Sequence, residues 1–243
     1  MENTKEGKDL EVQHKKAEDL LSRLSGDNLA RASSLLDLQK ARNILYMNFI
    51  KELKQLEEHY EDQYQPLYSQ RAEILKTQKG FWLKTIKQNA LTSSLVYTHD
   101  EEILQYLTDI KCLTDPDSDN FVLEFIFTEN PFIENDILRK KYVMTNADVM
   151  EKSIGTEIVW KNRSGEDEEM RKKQLNDGSF FKFFNNINMP NAAELEGLND
   201  SMEQELVDNV EQDFDIASEF KDEIIPNAVL YYLGSRCDDD KEE

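Results

Sequence analysis

Residues 28–64 contain no glycine and no proline, and their apolar side chains recur with helical spacing. Leu38, Leu45, Phe49, Leu53, Leu56, Tyr60, Tyr64 and Leu67 follow one another at steps of 7, 4, 4, 3, 4, 4 and 3 residues. Those steps hold the 3.6-residue period of an α-helix through roughly eight turns. At ~1.5 Å per residue the stretch predicts a rod roughly 55 Å long, more than the width of a small domain. Leu36, Met47 and Ile50 fall on the opposite side. A helix this long, apolar on two sides, cannot bury both against its own chain. One side is expected to pack on a globular body and the other on a partner helix. Leu38, Leu45, Phe49, Leu53, Leu56 and Tyr60 are therefore the expected seam of a homodimer, an obligate one centred on residues 35–64. Pro66 lacks a backbone donor, so a kink or break is expected there.

Around this rod the pattern changes. Residues 1–27 are polar and read as a flexible N-terminal arm with a short helix near residues 17–24, stopped by Ser25-Gly26-Asp27-Asn28. Helices are expected over residues 81–89 and 101–107. A strand over 108–114 then meets the turn cluster Asp115-Pro116-Asp117-Ser118-Asp119. Residues 120–128 place Phe121, Leu123, Phe125 and Phe127 on one face, the alternation of a half-buried strand. Residues 140–145 and 156–161 supply two further strands. The fold class is α+β, an antiparallel sheet of four strands covered on one face by helices, attached to the long helix. Ser179-Phe180-Phe181-Lys182-Phe183-Phe184 is expected to pack into the body. Helices are read over 203–214 and 216–224, with Pro226 ending one of them and 227–233 a last apolar segment. The organisation is thus an arm (1–27), a long dimerisation helix region (28–79), an α/β domain (80–233) and a short acidic tail (234–243).

Charge narrows the functional classes. Asp and Glu outnumber Lys and Arg by 50 to 29, a formal net charge of −21. Phosphate backbones and anionic membrane leaflets both demand cations, so neither direct nucleic-acid binding nor membrane docking is expected. The partner suited to such a field is basic. The charge is also uneven. Residues 191–243 hold 17 acids and three bases, a net of −14. Lysines are nearly absent there, so internal ion pairs cannot offset the repulsion. Glu205, Asp208, Glu211, Asp213, Asp215, Glu219, Asp222 and Glu223 form the candidate binding surface, joined by Glu101, Glu102 and Asp109. Two cysteines, Cys112 and Cys237, give neither a disulfide framework nor zinc spacing and suit a reducing compartment, with Cys112 expected in the core. Residues 1–10 lack the apolar run of a secretory signal, and the most apolar stretch, 121–127, is too short to span a bilayer. His14, His59 and His99 lie in different segments, and no phosphate loop, HExxH or nucleophile elbow occurs. No enzyme activity, cofactor or metal is expected, and His99-Asp100-Glu101-Glu102 reads as a helix start capped by Asp100.

Six stretches in order resemble the nucleosome assembly protein family. They are Phe81-Trp82-Leu83-Lys84-Thr85-Ile86-Lys87-Gln88-Asn89, the Asp100-Glu101-Glu102 run into Tyr106-Leu107-Thr108-Asp109-Ile110, and Glu129-Asn130-Pro131-Phe132-Ile133-Glu134-Asn135-Asp136-Ile137-Leu138. Gly155-Thr156-Glu157-Ile158-Val159-Trp160-Lys161, the Ser179–Phe184 aromatics and Asp213-Phe214-Asp215-Ile216 with Lys221-Asp222-Glu223-Ile224-Ile225-Pro226-Asn227-Ala228 complete the set. The resemblance spans roughly residues 35–233 and favours the nucleosome assembly branch over the SET branch. It implies a dimerisation helix, an "earmuff" α/β domain, and ATP-independent chaperoning of core histones on acidic surfaces, in support of nucleosome assembly and histone transport in nucleus and cytoplasm. The alternatives are a SET-like regulator that inhibits a phosphatase and an acidic dimeric scaffold. Between Trp160 and Ser179 this chain has only a short segment with one basic cluster, Arg171-Lys172-Lys173, where family members usually carry a long basic hairpin. A cytoplasmic weighting is expected for that reason. Ser164-Gly165-Glu166-Asp167 fits an acidophilic kinase, making Ser164 the expected phosphorylation site.

Overall fold

The computed structural model describes residues 5–115, 118–146, 149–161, 178–190 and 200–236, and the chain divides into two units, 1–67 and 68–243. Helix α1 (Lys5–Leu21) precedes α2 (Gly26–Leu75), a single helix of 50 residues. Gly26 turns the chain between them with φ +61°, a conformation side-chain-bearing residues avoid. α1 runs antiparallel to α2: His14 meets Asn43, and Glu18 pairs with Lys40. The expected arm is thus a longer helix, begun earlier, than its polar sequence suggested. Asn43 is buried and also accepts a hydrogen bond from Gln39 at 2.8 Å. Of the kink or break expected at Pro66, the break does not occur, since α2 runs through it to Leu75. Proline removes one i→i−4 bond, but its fixed φ is helical, and the intact bonds on either side carry the helix past it.

In the second unit, α3 (Phe81–Lys87), α4 (Ala90–Ser93) and α5 (Thr98–Leu104) lead into an antiparallel sheet. Its strands are β1 (Leu107–Thr114), β2 (Phe121–Phe127), β3 (Ile137–Asn146), β4 (Val149–Gly155) and β5 (Ile187–Asn188). They lie side by side in chain order. β1 and β2 pair in register through Cys112↔Leu123 and Leu113↔Val122, so the hairpin read from the sequence is present. The fourth strand differs from expectation. It is 149–155, paired with β3 through Tyr142↔Ser153, whereas Trp160 makes only an isolated bridge to Ile133. A fifth strand of two residues extends the edge of β4.

Phe121, Leu123, Phe125 and Phe127 all face the core. A 3₁₀ turn at Phe180–Phe184 closes over them. The Phe125 ring meets Phe180, Phe183, Phe184 and Phe220 with centroids 5.2–5.9 Å apart, the edge-on geometry aromatic quadrupoles prefer. Gly155 lets this turn approach, because a Cβ there would sit 1.7 Å from the Phe184 carbonyl oxygen. The chain then forms α6 (Asp200–Ser218), a π-helical turn (Glu219–Ile224) and α7 (Ile225–Leu233). No break separates 214 from 216. The helix end expected at Pro226 coincides with a kink: Asn227 leaves helical geometry at φ −105° and ψ 16° inside the span Ile225–Leu233.

Candidate functional site

α6 is amphipathic in a way that sorts its acids. Val210, Asp213, Ile216 and Ala217 are buried and define its inner side. Glu205, Asp208, Glu211 and Asp215 are exposed. At 100° per residue these four fall within about a third of the helix circumference, opposite the buried side. Among the described residues, their one hydrogen-bonded neighbour on the same face is neutral: Gln204 donates to Asp208 at 2.7 Å. Phe220 and Ile224, both fully buried, fasten the following turn to the Phe125 cluster. The acidic face is therefore held on a packed helix.

Two of the candidate acids point the other way. Asp213 is buried, with one carboxylate oxygen 2.6 Å from the Lys140 ammonium and the other accepting from the Ser153 hydroxyl at 2.9 Å. Lys140, wholly buried, also donates to the carbonyls of Phe183 and Asn185. Burial pushes the Lys140 ammonium below the ordinary lysine value, against the opposing pull of Asp213. The Tyr142 hydroxyl donates to the Asp213 backbone carbonyl at 3.3 Å, and burial raises its pKa. This carboxylate ties α6 to β3 and β4 and is not a surface group. Asp109 is likewise buried. It accepts from the Ile110 N–H at 3.0 Å, and burial raises its pKa despite Arg71 and Lys111 nearby. Arg71 lies against the Trp82 and Tyr68 rings, 5.1 and 4.7 Å from their centroids, and donates to the Ile225 carbonyl.

The remaining acids divide by their neighbours. Glu101 pairs with Lys87 at 2.6 Å, and Glu219 accepts from the Asn89 amide. The end of α3 thus bridges the acids of α5 to those beyond α6. Glu223 pairs with Arg236, and Asp222 stands 3.7 Å from Lys221. Glu102 is exposed. Asp100 does not cap α5 from outside. It is the third helical residue, accepting from the Tyr97 N–H at 3.0 Å, the Ser179 hydroxyl at 2.6 Å and the Phe180 N–H at 2.8 Å. It therefore holds the aromatic turn as well as the helix start. Lys140, Asn89 and Arg71 carry this architecture and were not singled out from the sequence. An inward lysine within an otherwise alternating strand was the one available signal for Lys140. Along α2, Leu38, Leu45, Phe49, Leu53, Leu56 and Tyr60 are all 39–69 % exposed. Ser164 lies outside the described residues.

A family model described as "Nucleosome assembly protein (NAP)" matches residues 76–235. Nucleosome assembly protein 1;3 of rice (Oryza sativa subsp. japonica) is 32 % identical over 249 residues, covering 91 % of this chain and 83 % of the rice protein. Nucleosome assembly protein 1;4 of tobacco (Nicotiana tabacum) is 31 % identical, covering 92 % of this chain and 74 % of its own length. A crystal structure of the malaria parasite nucleosome assembly protein superposes with a TM-score of 0.72 at 30 % identity, covering 88 % of this chain and 99 % of that one. The Vps75 histone chaperone superposes with a TM-score of 0.54 over 84 % of this chain and 97 % of its own, and at 15 % identity it shares the fold alone.

Proposed function

Because this chain belongs to the nucleosome assembly protein family, we propose that it is a histone chaperone that shields basic core histones on the outer face of α6. The observation carrying this reading is the row Glu205, Asp208, Glu211 and Asp215, exposed and without an ion-pair partner among the described residues. Glu102 and Glu219, the latter held by the neutral Asn89 amide, extend the field, and Glu101, Asp222 and Glu223 add charge partly offset by Lys87, Lys221 and Arg236. Asp213 acts from inside, by tying α6 to β3 and β4, and the buried Asp109 does not reach this surface.

The chemistry is electrostatic competition. Histones carry dense positive charge that otherwise captures DNA indiscriminately. A rigid acidic face takes up that charge reversibly, and DNA displaces it when many phosphates engage at once, releasing counterions. No bond is made or broken, and nothing in this scheme calls for a nucleotide or a metal. The two-sided apolar character of α2 supports a homodimer as the working form, which would present two such faces. The shortened segment before Ser179 supports a distribution weighted to the cytoplasm, and Ser164 within it remains the proposed acceptor for an acidophilic kinase.

The test is equilibrium binding of fluorescent core histones to wild type and to a variant with Glu205, Asp208, Glu211 and Asp215 all changed to Lys. Circular dichroism and sedimentation confirm that the variant is folded and associated as wild type is. Affinity is expected to fall by at least about a hundredfold, in line with the several kcal/mol that close charge pairs carry at interfaces. Unchanged affinity at physiological salt would remove α6 as the binding face.

A further inference from the structure

The face of the sheet turned away from the helices has the opposite electrical character. Its positions follow from the register. Leu113, Val122, Lys141 and Ile154 form one row across four strands, and Lys111, Glu124 and Arg139 the next. Val143 and Lys152 lie beside them. Lys111, Arg139, Lys141 and Lys152 thus share a face with Glu124 and Asp109, the latter opposite Ile126, and the exposed Glu151 adjoins Lys152, in a protein of net charge −21. Arg139 pairs with Glu124 at 2.6 Å, and Lys111 stands 3.9 Å from Asp109. Among the described residues no carboxylate lies within ion-pair distance of Lys141 or Lys152. The intervening residues are apolar and open to solvent: Leu113 and Ile154 are each 45 % exposed.

We propose that this outward sheet face is a docking surface for a segment of another protein in which acidic and apolar residues alternate. The argument is complementarity on two counts. Side chains on one sheet face repeat about every 6.7 Å along a strand and ~4.8 Å between strands, so Lys141, Lys152 and Arg139 are interleaved with Val122, Val143 and Ile154 at single-residue spacing. An acidic–apolar segment meets both kinds of neighbour at once. A nucleic acid gains only from the cations, and among the described residues the face presents no aromatic ring on which a base could stack. The surrounding negative field further disfavours a dense polyanion, while a short segment with few charges is repelled far less.

Fluorescence anisotropy with a labelled peptide of about 12 residues, alternating Glu with Ile or Leu and long enough to cross four strands, tests the proposal on the full chain. Saturable binding is expected, with hydrogen-exchange protection confined to β1–β4. The pair Lys141→Glu and Lys152→Glu should weaken it roughly tenfold or more while leaving histone affinity unchanged, which separates this surface from α6. Should that pair disturb folding, Lys141→Ala with Lys152→Ala serves in its place, expected to weaken binding in the same direction. Absence of binding, protection elsewhere, or insensitivity to folded variants overturns the proposal. So does equal binding of a Glu–Ser peptide of the same charge, or tighter binding of a single-stranded oligonucleotide of the same length.

Discussion

Lys140 occupies an inward position of β3 where Leu138 and Tyr142, two residues to either side, are core side chains. A buried charge is tolerated because Asp213 and two backbone carbonyls surround it, and removing one partner strands the other. Lys140→Met is therefore expected to destabilise the fold by about 3–5 kcal/mol, and adding Asp213→Leu to recover a large part of that loss. Urea denaturation of the single and double variants reads both values; an additive double variant would show that the pair is not coupled. The pH dependence has a defined sign. Burial places the folded Lys140 pKa below its ordinary 10.5, so the unfolded chain binds the proton more readily. The stability of wild type relative to Lys140→Met should rise with pH from the lowered folded value toward 10.5. The same network explains a misplaced strand. Residues 149–155 bury Met150 and Ser153, and a serine on the core side breaks the apolar alternation by which strands are recognised. Residues 156–161 alternate better and pair less, because Trp160 turns toward Phe181 at an edge, with ring centroids 5.5 Å apart.

At the scale of elements, α2 and β2 were legible because their periodicity runs unbroken for many residues. The fusion of α6 to the π turn was not. Ser218, Glu219 and Asp222 look like a polar interruption until Phe220 and Ile224 are seen to reach the Phe125 cluster through a wider turn. The acidic surface was legible in composition, yet sequence could not tell Asp213 from Asp215, which differ by half a helical turn and by burial. The exposed stripe of α2 yields a direct expectation. Leu45→Asp with Leu53→Asp would place two carboxylates in the proposed seam, at a cost of several kcal/mol each if desolvated there. Analytical ultracentrifugation should show the wild type as a dimer at micromolar concentration and the variant as monomer or unfolded chain. A monomeric wild type would leave the stripe without its proposed partner.

For the molecule as a whole, charge sets the expected behaviour with salt. The Debye length contracts from about 10 Å at 0.1 M to about 3 Å at 1 M. Histone affinity should therefore fall steeply and monotonically across that range while the helical content stays constant. A flat profile would mean that apolar contacts dominate and that the acids serve solubility. Within the second unit the signs are also separated in space, with Glu205, Asp208, Glu211 and Asp215 on the layer covering one side of the sheet and Arg139, Lys141 and Lys152 on its other side. Such a layer of negative over positive charge is a permanent electric dipole. A cationic body still several ångströms away exerts a torque on it as well as an attraction, turning the acidic side forward before any atoms touch. Productive orientation at first collision is then a property of the domain itself, set by two rows of side chains on opposite sides of one sheet.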